Sequence, residues 1–401
     1  MRILYINTVC GTGSTGRIVV DLYKEAEKNG DTCMVGYGRG TAPYDINGYR
    51  IGNDIDMYCH ALLTRITDKT AFYSKHATRK FLEKVDEFKP DLIHLHNLHG
   101  YYIDIEMLFN YIKEKNIKVV WTLHDCWSFT GHCAHFDYVG CQKWKTGCYK
   151  CPQKNVYPKS SLADASSWNY EHKKNAFCGV KDMTIITPSK WLADLVKESF
   201  LREYEVCVLV NGIDFSIFNS IPFNDKKKEI AKGKKIVLGV TSVWNERKGS
   251  RDYIELAKNL PDQYVLVIVG VPKEEHSKLP LNIIAFEKTK SIQELIEFYK
   301  CADVYFNASL EETMGMTTIE ALICGLPVIT FDRTAVPEFV PEVKGIVVKA
   351  HDIEGVKNAI KLLSNKKSVD VTYAIQKFEK NIAYKKYLEV YRKKGNLYYE
   401  K

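Results

Sequence analysis

Two glutamates and a glycine near residue 315 form the motif with the most specific chemistry in this sequence. Glu312 and Glu320 are eight residues apart, and Gly315 stands between them, just before a stretch with helical character. A glycine turn at a helix start leaves the first backbone N–H groups, here those of Met316 and Thr317, available to an anion such as a diphosphate. Carboxylates can accept hydrogen bonds from sugar hydroxyls. The motif therefore predicts a sugar-nucleotide pocket; the alternative is a solvated glutamate pair beside a helix cap.

A basic pair follows an apolar strand earlier in the same half of the chain. The predicted strand 236–240 leads into Arg247, Lys248 and Gly249. Open parallel α/β sheets bind ligands at the carboxyl ends of their strands. Two cations there would stabilise the negative charge that develops on a departing nucleoside diphosphate. The alternative is an ordinary basic pair on the surface.

A glycine-rich loop near the amino terminus has the spacing G-x-G-x-x-G. Gly11, Gly13 and Gly16 follow the first predicted strand and open a helix, and Ser14 lies inside the loop. Such a loop lets backbone N–H groups approach a phosphate, although a tight strand-to-helix turn alone would also explain it. The second predicted strand ends in Arg39 without the acid that binds a nicotinamide-cofactor ribose. An NADP-linked oxidoreductase, in which Arg39 would bind the 2′-phosphate of NADP, remains an alternative.

A cysteine-rich insert at 126–152 follows His124. Four of its cysteines have the spacing C-x7-C-x6-C-x2-C, which suits a closed tetrahedral zinc site: Cys133, Cys141, Cys148 and Cys151. Three other side chains compete as ligands: Cys126, His132 and His135. The insert is expected to contain too few apolar residues to pack by itself, so a structural Zn2+ would stabilise it. Four reduced thiols and an iron–sulfur cluster are the alternatives, and a zinc module that binds nucleic acid or protein is the non-enzymatic alternative for the whole chain.

Length and composition are those of a globular protein with more than one domain. The chain has 401 residues, a net charge of +8 and 45% hydrophobic residues, and its charges are not gathered into a polybasic block. This pattern favours an anionic substrate or membrane surface over nucleic acid. The start of the chain reads as a strand, and no apolar run is long enough to cross a bilayer. We expect a cytoplasmic location, with peripheral binding to the inner face of the cell membrane.

Short apolar runs alternate with amphipathic stretches through most of the sequence, which predicts two Rossmann-like parallel-sheet domains. The predicted boundaries are an amino-terminal domain at 1–213, a linker at 214–232 and a carboxyl-terminal domain at 233–377. The segment 378–401 predicts a helix with aromatic residues on one face and basic residues opposite. We expect it to pack on the first domain; contact with a membrane is the alternative.

These motifs, in this order, resemble glycosyltransferase family 4, the retaining enzymes with a GT-B fold. The resemblance extends from residue 1 to about 390, and it is closest to the bacterial branch that builds capsular, exopolysaccharide and colanic-acid-like chains. It rests on the region of the two glutamates and on five other segments: Arg247-Lys248-Gly249, Asn211 to Asp214, Pro90 to His96, Thr122 to Asp125, and the block from Trp121 to Pro152. Many members have Gly-Arg-Leu where this chain has Thr241 to Trp244, which leaves the role of that arginine to Arg247.

The resemblance implies a role for each motif. Glu312 would contact the hydroxyls of the donor sugar, Glu320 the ribose, and Arg247 with Lys248 the diphosphate. Backbone groups of Gly315, Met316 and Thr317 would bind phosphate. In the first domain, the loop with Gly13, Ser14 and Gly16 would lie beside the donor phosphates and the acceptor. His124 would face the transferred sugar, unless it is simply a buried, hydrogen-bonded histidine; His96 is a weaker candidate.

The resemblance also implies the reaction. It would move a sugar, with retention of anomeric configuration, from a nucleotide-diphosphate sugar, most often of uridine or guanosine, to a lipid-linked oligosaccharide. The two domains of such a GT-B enzyme would face an interdomain cleft. No Asp-x-Asp motif stands at a strand end, so no catalytic metal is expected. A nucleotide-sugar epimerase of the same fold is the alternative within this architecture.

Overall fold

The computed structural model describes residues 1–221, 229–341, 344–365 and 370–393. The chain forms two compact units. The first contains Met1–Gly212 and the chain from Ala383 onward, and the second contains Ile213–Ile382. No helix within the described ranges is long and apolar enough to cross a membrane.

The first unit is built on a seven-stranded sheet whose neighbouring strands are all parallel. The strand order is β3-β2-β1-β4-β5-β6-β7. The chain reverses its direction of winding between β1 and β4, and ligands bind at such a switch point in open α/β sheets. The strands are β1 (Arg2–Val9), β2 (Thr32–Arg39), β3 (Gly48–Arg50), β4 (Leu92–Leu95), β5 (Lys118–Thr122), β6 (Met183–Thr187) and β7 (Glu205–Val208).

Helices connect these strands. Most of them bury an apolar stripe against the sheet, as in the long helix that follows β1 and buries Ile18, Val19 and Leu22. The helices of this unit before residue 213 are α1 (Gly13–Lys28), α2 (Asp54–Thr67), α3 (Lys75–Phe88), α4 (Ile105–Lys115), α5 (Ser166–Phe177) and α6 (Lys190–Glu198).

The second unit has a six-stranded parallel sheet in the order β10-β9-β8-β11-β12-β13. Its switch point lies between β8 and β11. The strands are β8 (Lys235–Val240), β9 (Tyr264–Val269), β10 (Ile283–Phe286), β11 (Val304–Asn307), β12 (Val328–Phe331) and β13 (Gly345–Val348). The helices are α7 (Phe215–Asn219), α8 (Ser250–Asn259), α9 (Ile292–Cys301), α10 (Met316–Ile323), α11 (Ile353–Leu363), α12 (Thr372–Phe378) and the start of α13 (Lys380–Arg392).

The carboxyl-terminal helix α13 returns to the first unit. Tyr384, Tyr387 and Tyr391 are buried in one of that unit's apolar clusters, beside residues of β1 and α1. The Tyr391 hydroxyl lies 2.6 Å from Nδ1 of the buried His94. Lys118 caps the end of the helix by donating to two of its last carbonyls and to the carbonyl of Lys393 just beyond it. The aromatic face is therefore occupied by the protein's own core, and the alternative that it contacts a membrane is wrong. Residues 394–401 lie outside the described part of the chain.

The fold class predicted from the sequence is confirmed: both units are Rossmann-like parallel sheets covered by helices. Two short edge strands, β3 and β7, were not predicted. The segment predicted as a linker, 214–232, includes α7, whose Phe215 and Phe218 are buried; residues 222–228 of that segment are not described.

Candidate active site

The loops after β8 and β11 meet at the switch point of the second unit. The N–H of Leu310 donates to the carbonyl of Arg247 (2.8 Å), and the guanidinium of Arg247 donates to the carbonyl of Glu311 (3.1 Å). Both contacts join residues more than sixty positions apart, because neighbouring parallel strands end at the same edge. The predicted basic pair and the predicted glutamate motif therefore lie together.

Two glycines allow close packing around this site. Gly249 and Gly315 both have positive φ, of 79° and 75°. A Cβ on Gly249 would stand 2.2 Å from the carbonyl oxygen of Ala308, and one on Gly315 would stand 2.8 Å from a methyl group of Val336. Any side chain would thus be both strained and obstructed. Gly249 therefore allows the loop after β8 to pack against the end of β11, and Gly315 allows the start of α10 to pack against the segment after β12.

An ion pair joins Lys248 to Glu312. The ammonium of Lys248 donates to Oε1 of Glu312, and the two side chains are 12% and 20% exposed. Burial raises the pKa of Glu312, but the charges of Lys248 and Arg247 outweigh it and hold the pKa below its ordinary value. The carboxylate is therefore ionised at neutral pH. With two cations and one anion, the cluster retains a positive charge suited to a diphosphate.

Helix α10 begins beside this cluster. Gly315 is its N-cap and provides no side-chain cap, so the amides of Met316 and Thr317 are the first of the helix. The helix dipole adds partial positive charge at this end. The hydroxyl of Thr317 accepts a hydrogen bond from Tyr305 (2.8 Å), which fixes the first turn.

Glu320 lies one turn inside α10 and is half-buried. Its Oε2 accepts a hydrogen bond from the hydroxyl of Tyr299 at 2.9 Å. Tyr299 is fully buried on α9, so it holds one carboxylate oxygen in place. No local pattern predicts this partner, because Tyr299 and Glu320 lie on different helices.

A cleft of about 500 Å3 opens at the carboxyl ends of β8, β9 and β10. Three loops form most of its wall: 240–244, 269–272 and 287–289. Gly270 (φ 108°) lets two of these loops touch, since a Cβ there would overlap the carbonyl of Thr241 at 1.8 Å. This cleft was not predicted from the sequence, although Gly270 directly after a strand is a signal that could have indicated it.

The glycine-rich loop of the first unit lies at the carboxyl end of β1. The N–H of Gly11 donates to the carbonyl of Gly16 (3.0 Å), and Gly13 and Ser14 are exposed at the start of α1. The buried Asn7 side chain joins the loop to the end of β4: it donates to the carbonyl of Val9 and accepts from the N–H of Asn97. The loop is thus part of the switch point of this unit.

Three histidines form a row across β4 and β5. His94 and His96 are buried, and His96 Nδ1 lies 3.0 Å from His124 Nε2, with the two rings stacked. Burial lowers the pKa of all three, and that of His124 falls to about 4. His124 is therefore neutral at pH 7. Both sequence candidates, His96 and His124, lie at the carboxyl edge of the sheet.

Asp125 and His99 form a hydrogen-bonded pair that was not predicted from the sequence. Asp125 accepts hydrogen bonds from the N–H of Trp127 (2.9 Å) and from His99 Nε2 (2.9 Å), while His99 Nδ1 lies 3.0 Å from the hydroxyl of Tyr157. Burial opposes the charge of Asp125, but His99 and these hydrogen bonds hold its pKa well below the ordinary value. Asp125 is therefore a fixed carboxylate directly after His124.

The cysteine-rich insert is well packed, so the expectation that it has too few apolar residues was wrong. Four aromatic side chains are almost completely buried in it: Trp127, Phe129, Phe136 and Trp144. The four predicted ligands, Cys133, Cys141, Cys148 and Cys151, all line one small cavity. Within the described ranges, no three Cys, His, Asp or Glu side chains are already grouped closely enough to hold a metal ion.

Comparison with known families decides the class of enzyme. Residues 15–216 match the family model described as Glycosyltransferase Family 4, and residues 220–383 match the model for glycosyl transferases group 1. The chain belongs to glycosyltransferase family 4. The resemblance inferred from the sequence is therefore confirmed, and so is the prediction that the protein is a glycosyltransferase. Membership decides against the oxidoreductase and the non-enzymatic zinc module.

Curated relatives point to polysaccharide synthesis. The chain is 26% identical over 367 residues to an Escherichia coli K12 protein named as a colanic acid biosynthesis glycosyl transferase, WcaC, with 88% of each chain covered. It is 24% identical to a Klebsiella pneumoniae protein in the cps region, covering 76% of this chain and 79% of that protein. It is also 24% identical to a Campylobacter jejuni N-acetylgalactosaminyltransferase, covering 50% of this chain and 57% of that protein. The capsular branch of this family fits these relatives.

Solved structures share the fold of this glycosyltransferase. An Anabaena protein, HepE, in complex with UDP-glucose superimposes with a TM-score of 0.66, covering 98% of this chain and 99% of that one at 14% identity. A glycosyltransferase from Rickettsia africae gives a TM-score of 0.67 at 16% identity, covering 98% and 97%. The architecture is GT-B, as the sequence predicted.

Proposed function

We propose that this glycosyltransferase moves a sugar, with retention of anomeric configuration, from a nucleotide-diphosphate sugar to a lipid-linked saccharide in surface polysaccharide synthesis. The observation that carries the proposal is the cluster of Arg247, Lys248, Glu312 and the start of α10 at one switch point. It combines a net positive charge, helix-end amides and a fixed carboxylate, which are the groups needed to bind a sugar diphosphate.

The diphosphate would lie against Arg247, Lys248 and the amides of Met316 and Thr317. The leaving group gains negative charge as the glycosidic bond to phosphate breaks, so preorganised positive groups lower the barrier. These groups supply the charge that a divalent cation would otherwise supply, and for this reason we expect no catalytic metal.

The remaining parts of the donor fit neighbouring features. Glu312 would accept hydrogen bonds from sugar hydroxyls through its carboxylate, which Lys248 holds in position. Glu320, positioned by Tyr299, would accept from the ribose diol. The cleft along 240–244, 269–272 and 287–289 is adjacent and large enough for a nucleobase.

In the first unit, neutral His124 would hydrogen-bond the transferred sugar. Its Nε2 is engaged with His96, which fixes the orientation of its ring. The exposed amides of Gly13 and Ser14, with Gly16 allowing the close turn, would approach the donor phosphates and the acceptor. Retention requires the acceptor hydroxyl to attack the face from which the phosphate departs.

The proposed lipid-linked acceptor places the protein at a membrane surface, and α2 offers a matching face. Four apolar side chains at helical spacing are exposed on this helix: Ile55 (73%), Tyr58 (68%), Leu62 (58%) and Ile66 (43%). The loop at 161–163 is hydrogen-bonded to the end of α2 and adds an exposed leucine.

Basic residues lie near the carboxyl end of α2: Arg65 in its last turn, Lys69 shortly after it, and Lys159 just before the loop at 161–163. The combination suits the surface of an anionic bilayer, into which apolar side chains insert while cations meet headgroups. The name of the Campylobacter jejuni relative includes a diphospho-undecaprenol compound. A lipid-linked acceptor for this protein agrees with that name.

The donor site is tested by a binding panel. Thermal shift and calorimetry with nucleotide sugars of uridine and guanosine should give saturable binding of one donor to the wild type, and loss of that binding in Glu320→Ala. Glu354→Ala, an exposed glutamate of the same unit, is the matched control. Equal binding by both variants would contradict the proposed site.

The reaction product distinguishes a glycosyltransferase from the alternative, a nucleotide-sugar epimerase. The donor is incubated with and without undecaprenyl-diphosphate saccharide, and NMR follows its sugar. Transfer gives a new glycosidic bond, with the donor's anomeric configuration, only when acceptor is present. Conversion of the free donor into its epimer without acceptor would establish the epimerase instead.

A further inference from the structure

The cysteine-rich insert brings together four thiols that are far apart in the sequence. The insert contains only short 3-10 turns: Trp127–Phe129, Asp137–Val139 and Lys143–Lys145. A single cavity of about 10 Å3 is nevertheless lined by all four thiols: Cys133, Cys141, Cys148 and Cys151. This volume has room for one water or one ion. Cys126 and His135 do not line it.

Two of these thiols contact each other, and a third accepts a backbone hydrogen bond. Cys133 and Cys151 form a side-chain hydrogen bond. The N–H of Gly131 donates to Cys148 Sγ at 3.1 Å, and a Cβ on Gly131 would stand only 2.6 Å from the Cβ of Cys148. An N–H donor aimed at sulfur stabilises thiolate over thiol. The glycine is required for this donor to reach the sulfur.

A buried cation lies beside the same thiols. Lys173 is 1% exposed, its ammonium donates to the carbonyls of Trp127 (2.8 Å) and Thr130 (3.0 Å), and it interacts electrostatically with Cys148 and Cys133. Four thiolates around a divalent cation carry two negative charges. A buried lysine next to them compensates part of that charge, and Asp125 and Asp68 also interact electrostatically with this lysine.

The imidazole of the neighbouring His132 is already engaged. Its Nδ1 is hydrogen-bonded to the carboxylate of Asp68, and its Nε2 faces the carbonyl of Val156 at 3.4 Å. His132 therefore anchors the insert to the end of α2. The four cysteines remain as the donor set, and soft thiolates select Zn2+.

We propose that Cys133, Cys141, Cys148 and Cys151 bind one structural Zn2+ as a tetrathiolate. Each thiol loses its proton to solvent on binding, and the side chains close around the ion from their positions along the cavity. The site would fix the insert on which Trp127 stands, and the N–H of Trp127 positions Asp125. Zinc would thus act at a distance on the histidine-containing edge of the first unit without touching substrate.

The experiment is metal analysis of the full-length protein purified under reducing conditions. Elemental analysis should find one zinc per chain in the wild type and in Cys59→Ser, an exposed cysteine on α2, and should find none in Cys148→Ser. Replacement of zinc by Co2+ should give the intense thiolate-to-cobalt absorption and visible bands of a tetrahedral four-thiolate site.

The cobalt spectrum keeps the test decisive if Cys148→Ser fails to fold, because it is recorded on the wild type. The proposal is overturned if the wild-type protein is purified without zinc and then takes up neither Zn2+ nor Co2+. A Cys133–Cys151 disulfide in the non-reduced native protein, or iron with sulfide in place of zinc, also overturns it. These readouts do not depend on transferase activity, so the zinc site and the proposed function can fail separately.

Discussion

Lys248 donates a hydrogen bond to the carboxylate of Glu312 across the junction of two loops, 64 residues apart in sequence. The pair holds a cation and an anion side by side at the carboxyl edge of a parallel sheet, where Arg247 adds a second cation. Its geometry depends on Gly249, which lets the two loops touch. The following predictions test this site and its surroundings.

Replacing Lys248 should reduce the rate of transfer more than the affinity for donor. In Lys248→Met the diphosphate loses a preorganised cation that acts mainly as charge develops, so we expect kcat to fall about 100- to 1000-fold. Steady-state kinetics measures the change, with Lys258→Met, an exposed lysine of the same unit, as control. An unchanged kcat with a raised KM would show that Lys248 only binds ground-state donor.

Replacing Gly249 by alanine should destabilise the second unit. The new Cβ would meet the carbonyl of Ala308 in addition to the unfavourable positive φ, whereas Gly179 also has positive φ but opens onto empty space. We expect Gly249→Ala to lower the free energy of unfolding by more than the roughly 1 kcal/mol expected for Gly179→Ala. Urea unfolding of both variants measures the difference. Equal losses would mean that the loops are not closely packed.

Removing the Tyr299 hydroxyl should weaken donor binding without changing the chemistry. Tyr299→Phe leaves Glu320 less restrained, at a cost of about 0.5 to 1.5 kcal/mol, or roughly a 2- to 10-fold rise in Kd. Calorimetry with the identified nucleotide sugar measures it, and Tyr264→Phe, another buried tyrosine of this unit with a hydroxyl partner, is the control. The idea fails if Tyr299→Phe binds donor as the wild type does.

Stability should fall in mildly acidic solution because buried histidines resist protonation. Burial lowers the pKa of His124 from 6.5 to about 4 in the folded protein, although the charge of Asp125 opposes the shift. The unfolded chain therefore takes up a proton that the folded chain refuses, and stability is lost as pH falls from about 6.5 to about 4. The contribution of His124 is at most about 3 kcal/mol.

Thermal unfolding at several pH values measures this effect. His124→Gln should show a shallower decline over the same interval, while His76→Gln, an exposed histidine on α3, should follow the wild type. Parallel curves for wild type and His124→Gln would contradict the prediction.

The apolar face of α2 should bind anionic membranes. Leu62→Asp with Ile66→Asp removes two side chains whose burial contributes about 1.5 to 3 kcal/mol each, so vesicle affinity should fall more than tenfold. Co-sedimentation with phosphatidylglycerol-containing vesicles measures it. Leu281→Asp, fully exposed in the second unit, is the matched control.

Raised salt should weaken the same vesicle binding, because Arg65, Lys69 and Lys159 contribute through screened charge. Wild-type protein that stays in the supernatant at low salt would refute the assignment of this face.

The site could be predicted from the sequence only as separate parts. The spacing of Glu312, Gly315 and Glu320 and the basic pair at 247–248 identified groups suited to a sugar diphosphate, because helix starts and strand ends are local features. The Tyr299 partner of Glu320, the nucleobase-sized cleft and the Asp125–His99 pair were not predicted. Each depends on contacts between elements far apart in sequence.

The sequence by itself determined the alternation of apolar strands and amphipathic helices, and therefore two parallel α/β units, while its motifs carried the resemblance to glycosyltransferase family 4. Local patterns suffice for this because the spacing of apolar residues within each strand and helix reflects which of its faces is buried. Only the tertiary structure decided that Lys248 pairs with Glu312, that the aromatic face of α13 is buried in the first unit, and that α2 leaves an apolar face exposed. These contacts depend on strand order and packing, because they join side chains that are far apart in the sequence.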